Sequence, residues 1–179
     1  VPTRGLLIFL ALPVLSCSHD SVPCKNPLAQ GALLLSEVAK DSSTGQWVEL
    51  YNPDEDEKTV LGVTLVFTKM DGSSSEKVMV LNKEESKNIK VGPKGYFVLG
   101  LCTTPLCPQF VDYPFDDQFE AQNIYSTMLL ELYSCGTRID FVAIDKDLPK
   151  TGSFSRDFQK NKWCATDEAT PKEENKPCE

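Results

Sequence analysis

The stretch GQWVELYNP, residues 45–53, alternates its side chains with a period of two. In an extended strand successive side chains point to opposite faces, so Val48 and Leu50 share one face while Trp47, Glu49 and Tyr51 share the other. Val48 and Leu50 are therefore expected in a core. Asn52-Pro53 stops the strand, because proline has no N–H to give to a ladder. Outward from this stretch, short runs rich in Val, Ile, Leu, Phe, Tyr and Thr alternate with clusters of Gly, Pro, Asp, Asn and Ser. That is the grammar of strands and turns. Strands are expected near Ala32–Val38, Trp47–Tyr51, Val63–Thr68, Glu76–Leu81, Tyr96–Leu99, Met128–Tyr133 and Arg138–Ile144. No run keeps a helical period for three turns. Ala121–Leu132 is open to helix or strand, with strand favoured at its end because it leads into the turn Ser134-Cys135-Gly136. The pattern predicts an all-β, two-sheet antiparallel sandwich.

The same stretch carries a family resemblance. LLLSEV at 33–38, GQWVELYNP, LGVTLVF at 61–67, VGPKGYFVLG at 91–100, LLELYSCGTRIDFVAI at 129–144 and GSFSRD at 152–157 follow in an order that resembles the lamin-tail domain. The closing segment fits as well, with Trp163-Cys164 and then Thr170-Pro171 before Asn175, although Lys172 stands where the family favours glycine. The resemblance runs from Ala32 to Cys178 and implies an immunoglobulin-like β-sandwich. It implies a structural role for Glu37 and Glu49, which sit at motif positions, in strand-end hydrogen bonding and turn fixation. Bacterial members occur on exported chains, usually without an assigned activity.

Ahead of this domain, residues 5–16 are uncharged and almost wholly apolar, with Arg4 the only charge before them. Spanning a bilayer takes about 20 such residues, whereas export leaders need roughly 7–15, so export is expected. Val14-Leu15-Ser16-Cys17 resembles the lipobox of bacterial lipoproteins, with Leu15 a departure from the usual small residue. The resemblance implies a diacylglycerol on Cys17, cleavage before it, and a further chain such as palmitate on the new amino terminus. Two or three chains anchor durably where one is marginal. Ordinary signal-peptidase cleavage at the same bond is the alternative. The expected organisation is a leader at 1–16, a lipidated tether at 17–30 containing Pro23 and Pro27, and the domain at 31–179.

The chain has seven cysteines, an odd number. Setting Cys17 aside for lipid leaves Cys24, Cys102, Cys107, Cys135, Cys164 and Cys178 as disulfide candidates in an oxidising compartment. Six cysteines allow 15 connectivities, and sequence does not choose among them. Cys102 and Cys107 are close enough to close a small loop, and Cys24 is expected to pin the tether to the domain.

Composition narrows the function classes. With 26 acidic against 18 basic residues the net charge is −8, which repels phosphate, so nucleic-acid binding is not expected. His19 is the only histidine and lies two residues from the anchor, leaving no rigid partner for a Ser–His or Cys–His device. Phosphate-binding glycine loops and histidine metal signatures are absent from the sequence. No catalytic residues, cofactor or metal ligands are expected. Two acidic clusters, Asp54 with Asp56 and Glu57, and Asp112 with Asp116 and Asp117, are open to calcium or to a solvated turn. Phe110, Tyr113, Phe115 and Phe119 crowd beside Cys107, either as a loop packed on the domain or as a face for a protein or glycan partner.

Together these readings point to a lipid-anchored bacterial envelope protein whose domain is an interaction or structural module. Its partners are the membrane, through Cys17, and an envelope or surface protein or polymer. A cation-binding or accessory component of an envelope enzyme system is the alternative. Ser18 lacks the aspartate of inner-membrane retention in enteric bacteria, which by that rule favours the outer membrane.

Overall fold

The structure, a computed structural model, describes residues 27–41, 44–73, 76–81, 89–103, 105–115 and 124–179. Twelve strands follow in order: β1 Leu34–Asp41, β2 Gly45–Tyr51, β3 Lys58–Thr59, β4 Val63–Lys69, β5 Lys77–Val80, β6 Lys90–Val91, β7 Tyr96–Gly100, β8 Tyr113–Pro114, β9 Met128–Ser134, β10 Thr137–Ile144, β11 Ser153–Asp157 and β12 Lys162–Thr166. Among the described residues there is no helix. Six strands form one sheet in the order β12-β11-β1-β2-β7-β8, four form a second in the order β10-β9-β4-β5, and β3 pairs with β6.

Each of the seven expected strands is present, with ends shifted by one to three residues. Pairing is antiparallel except at one edge, where β7 and β8 run parallel. That edge corrects the expectation of an antiparallel fold throughout. Strands β3, β6 and β8 were too short to show a period. β11 and β12 show no apolar alternation for different reasons: the buried side chains of β11, Ser153, Ser155 and Asp157, are polar, and β12 has no fully buried residue.

The two larger sheets share one core. Val48 and Leu50 of β2 and Leu35 and Val38 of β1 pack with Leu65 and Phe67 of β4 and Leu130 and Leu132 of β9. Trp47 and Glu49 lie on the opposite face of β2, as the alternation requires, yet both are also fully buried. Asp140 of β10 ties the two sheets together. Its Oδ2 accepts the Leu35 amide at 2.7 Å and the Arg156 guanidinium at 3.0 Å.

Local devices set the register. A β-bulge between Leu35 and Glu37 leaves Ser36 as the extra residue, so two residues of β1 oppose one of β2. The β9–β10 hairpin turns through Cys135 and Gly136, at φ 51° and 75°, the left-handed pair of a tight type I′ connection. Asn52 ends β2 by giving its amide to the Asp56 carbonyl at 2.8 Å and the Gly92 carbonyl at 2.9 Å. Gly152 admits no side chain, because a Cβ there would meet the Thr166 carbonyl oxygen at 2.0 Å.

Replacing Leu50, which is 0% exposed, by alanine is expected to cost about 2–5 kcal/mol. Val78→Ala, at a position 53% exposed, is expected to cost well under about 1 kcal/mol. Urea denaturation of the two variants checks the contrast, which a shared core at Leu50 requires.

Candidate functional site

The outer face of the six-stranded sheet carries a row of residues paired across neighbouring strands. Cys164 of β12 lies opposite Ser155 of β11, Ser155 opposite Glu37 of β1, Glu37 opposite Glu49 of β2, and Glu49 opposite Val98 of β7. Such partners sit roughly 4.5–5.5 Å apart, so the two carboxylates are immediate neighbours. Both are 0% exposed. They are buried because the chain after β12 folds back across this face as a strap, residues 167–178.

The strap is fastened by hydrogen bonds to the row. The Thr170 amide donates to Glu37 Oε1 at 3.1 Å, and the Ser153 hydroxyl donates to the same oxygen. The Lys172 amide donates to Glu49 Oε2 at 2.6 Å. Asn175 Nδ2 reaches the Ser36 hydroxyl at 2.9 Å, the Ser36 carbonyl at 3.0 Å and the Arg156 carbonyl at 3.1 Å. The bulge therefore serves the strap, because it turns Ser36 as well as Glu37 toward it. At the far end the Cys178 amide donates to Asp157 Oδ2 at 3.0 Å, and Cys178 is joined to Cys164 by a disulfide.

Lys172 has φ 71°, in the left-handed region where glycine is unstrained. This is the position at which the lamin-tail resemblance leads one to expect glycine. The conformation aims the Lys172 amide down at Glu49. Its ammonium instead pairs with Asp112, at 2.6 Å and 2.7 Å from the two oxygens.

Burial raises the affinity of both carboxylates for a proton. Desolvation is the main cause for Glu37, opposed by its bonds from Ser153 and Thr170. Glu49 is pushed up to about 8, by desolvation first and by the charge of Glu37, against the Lys172 amide, the Ser36 hydroxyl and the Lys172 charge. Its second oxygen, Oε1, has no hydrogen-bond partner, and neither has Ser155 Oγ. The role expected of Glu37 and Glu49 in fixing a turn describes Glu49 at Lys172, while the extent of the strap was not legible. Ser36, Ser153 and Ser155 gave no separate signal, although polar residues alternate through Ser153-Phe154-Ser155-Arg156-Asp157 as apolar ones do in an ordinary strand.

Next to the row, Trp47 packs with Ala39 and Val98 beneath Phe110, Val111 and Ala169. Trp47 and Phe110 meet edge to face at 5.7 Å between ring centroids. Tyr113 and Phe115 are buried in the main core, 5.0 Å apart. These three aromatics thus pack on the domain, the first of the two expectations for this segment. Phe119 lies outside the described residues.

The remaining sequence candidates separate by location. Cys102 pairs with Cys107, as their spacing allowed, and Cys135 is also disulfide-bonded. Cys17, His19, Cys24, Asp116 and Asp117 lie outside the described residues. Asp54 pairs with Lys58 at 2.8 Å and Glu57 with Lys90 at 2.6 Å. Among the described residues no group of three or more His, Cys, Asp or Glu is placed to hold a metal ion.

Asn175→Ala leaves two buried acceptors on Ser36 and a partly buried one on Arg156 without this donor and is expected to cost about 2–3 kcal/mol in urea denaturation. Lys176→Ala, which removes only the exposed pairing with Glu168, is expected to leave the midpoint unchanged. Opening the Cys164–Cys178 bridge by a double serine substitution is expected to cost about 3 kcal/mol, read from the same transition. No family model matches the chain, and no curated protein does either.

Proposed function

We propose that this chain is a lipid-anchored protein of the bacterial envelope, and that its lamin-tail-type sandwich is a non-catalytic interaction or structural module. The observation that carries the proposal is the disposition of the cysteines. Cys102 is bonded to Cys107 and Cys164 to Cys178, so the disulfide of Cys135 must draw on Cys17 or Cys24. The Leu28 amide donates to Ser134 Oγ at 3.0 Å, and the Gly31 amide donates to the Ile139 carbonyl at 3.0 Å. These bonds hold the start of the domain against the β9–β10 turn that carries Cys135. Four residues of extended chain reach roughly 14 Å, enough for Cys24 to pair with Cys135. The pairing we propose for Cys135 is therefore with Cys24, which leaves Cys17, directly after the apolar run and Val14-Leu15-Ser16, as the proposed lipid acceptor.

The sandwich reading is supported by where the resemblance motifs fall. Ser36-Glu37-Val38 lies at the bulge of β1, Trp47–Tyr51 fills β2, and Asn52-Pro53 closes the turn against Gly92. The most distinctive polar residues of these motifs, Glu37 and Glu49, are spent on holding the strap. That use favours a scaffold over a catalyst. The acidic balance of the chain favours a protein or surface-polymer partner over a nucleic acid.

The test is the intact, non-reduced mass of protein extracted from native membranes after thiol alkylation, followed by mapping of disulfide-linked peptides. An acylated Cys17, no alkylated thiol and a Cys24–Cys135 linked peptide are expected. An unacylated chain with Cys17 alkylated or bonded to Cys135 would refute the anchor. Cys17→Ala is expected to move the protein from the membrane to the soluble fraction.

A further inference from the structure

The strap is held at two kinds of point. Its ends are covalent, one continuing from β12 and the other closed by the Cys164–Cys178 disulfide. Its middle, from Thr170 to Asn175, is held by side chains of β1 and β2. Two of those side chains are carboxyl groups on directly paired residues, both fully buried. Among the described residues neither has an ion-pair partner, and the nearest ammonium of the strap, that of Lys172, is taken by Asp112.

The surroundings supply little compensation from any side. On β11 the neighbours are the neutral Ser153 and Ser155, while the Arg156 guanidinium pairs with Asp140 and the Asp157 carboxylate accepts the Cys178 amide. On β2 and β7 the titratable neighbours are Tyr51 and Tyr96. The Tyr96 phenol is held well above its ordinary range by burial first, then by Tyr51 beside it and by the charges of Glu49, Glu174 and Glu37. The strap itself brings Lys172 with Glu173 and Glu174, and Lys176 is engaged by Glu168. The described cations near the row are thus paired elsewhere, while the acids are concentrated around it.

We propose that the C-terminal strap is a proton-dependent latch, closed while the Glu37–Glu49 pair holds one proton and opened in its middle when both carboxyls ionise. Two like charges side by side in a buried site repel, and each loses the hydration that it would have in water. Opening the strap restores water to both. It also lifts Ala169 from the Trp47 cluster and uncovers the outer face of the sheet. The disulfide keeps the opened strap attached, so closing is the return of a short loop.

The sign follows from the direction of the shift. A carboxyl whose folded-state pKa is raised contributes stability that is fully present below its unfolded value of 4.5 and is lost as the pH rises toward about 8. The latch therefore closes in acid and loosens through neutrality.

The experiment is hydrogen exchange on the mature chain with its disulfides intact, following the Thr170 and Lys172 amides from about pH 5 to 9 and dividing out the intrinsic rate. Protection is expected to fall by up to about tenfold per pH unit in the wild type as one linked proton is lost. In Glu49→Gln, which keeps an oxygen for the Lys172 amide but cannot ionise, the fall is expected to be clearly shallower, because only the buried Glu37 is left to lose a proton. Level protection in the wild type, or an equal slope in Glu49→Gln, would overturn the proposal. If Glu49→Gln does not fold, a carbon-13 titration of the wild-type glutamate carboxyls decides. One carboxyl titrating near neutrality supports the latch, and ordinary titration of both Glu37 and Glu49 overturns it.

Discussion

Two carboxyl groups buried opposite one another on neighbouring strands impose the constraint around which the outer half of this protein is arranged. A buried polar group without a partner costs several kcal/mol, and two of like charge cost more. Glu37 and Glu49 could not lie on a bare sheet face and also be buried. The strap resolves this by bringing backbone amides to them, from Thr170 and Lys172, and by excluding water at the same time. The bulge at Ser36, the polar buried face of β11 and the Cys164–Cys178 bridge serve that arrangement.

The six-stranded sheet consequently has two buried faces of opposite chemistry. Its inner face is packed by aliphatic side chains such as Leu35, Val38, Val48 and Leu50 against the four-stranded sheet. Burial there is non-directional and tolerant of how each side chain meets the next. Its outer face is packed by hydrogen bonds, which are directional and fix the strap residue by residue. Beside Trp47 the outer face becomes apolar, and there Phe110, Val111 and Ala169 cover it, while Tyr51 packs against Tyr96 and Phe158 at the other end of β2.

This division explains what could be read in the sequence. Strands with one apolar face were legible from alternation alone, and the seven expected ones are present. β11 carries the same alternation written in Ser153, Ser155 and Asp157, so a rule based on hydrophobicity passes over it. The buried face of β11 exists only because the strap covers it, and the strap comes from residues more than ten positions later in the chain. Tyr113 and Phe115 illustrate the converse, since an aromatic cluster in sequence does not say whether it faces solvent or core. Of the site, Glu37 and Glu49 were singled out through the motifs containing them, and Thr170 and Asn175 through the closing motif. What joined them was tertiary, and the pairing of β1 with β2 across a bulge could not be counted from spacing.

Lys172 shows how a single residue can satisfy both faces of that requirement. Its backbone sits at φ 71°, where a side chain is tolerated at a cost of about 1–2 kcal/mol, and glycine would avoid that cost. The lysine side chain supplies an offset. Its ammonium binds both oxygens of Asp112, and Asp112 Oδ2 in turn accepts the Val98 amide at 2.8 Å. The strap is thereby tied through one residue to Glu49 below and to the segment between β7 and β8 beside it. A glycine would keep the first tie and lose the second. The strained conformation is maintained because the amide and the ammonium of the same residue are each committed to a carboxylate, one buried and one partly exposed.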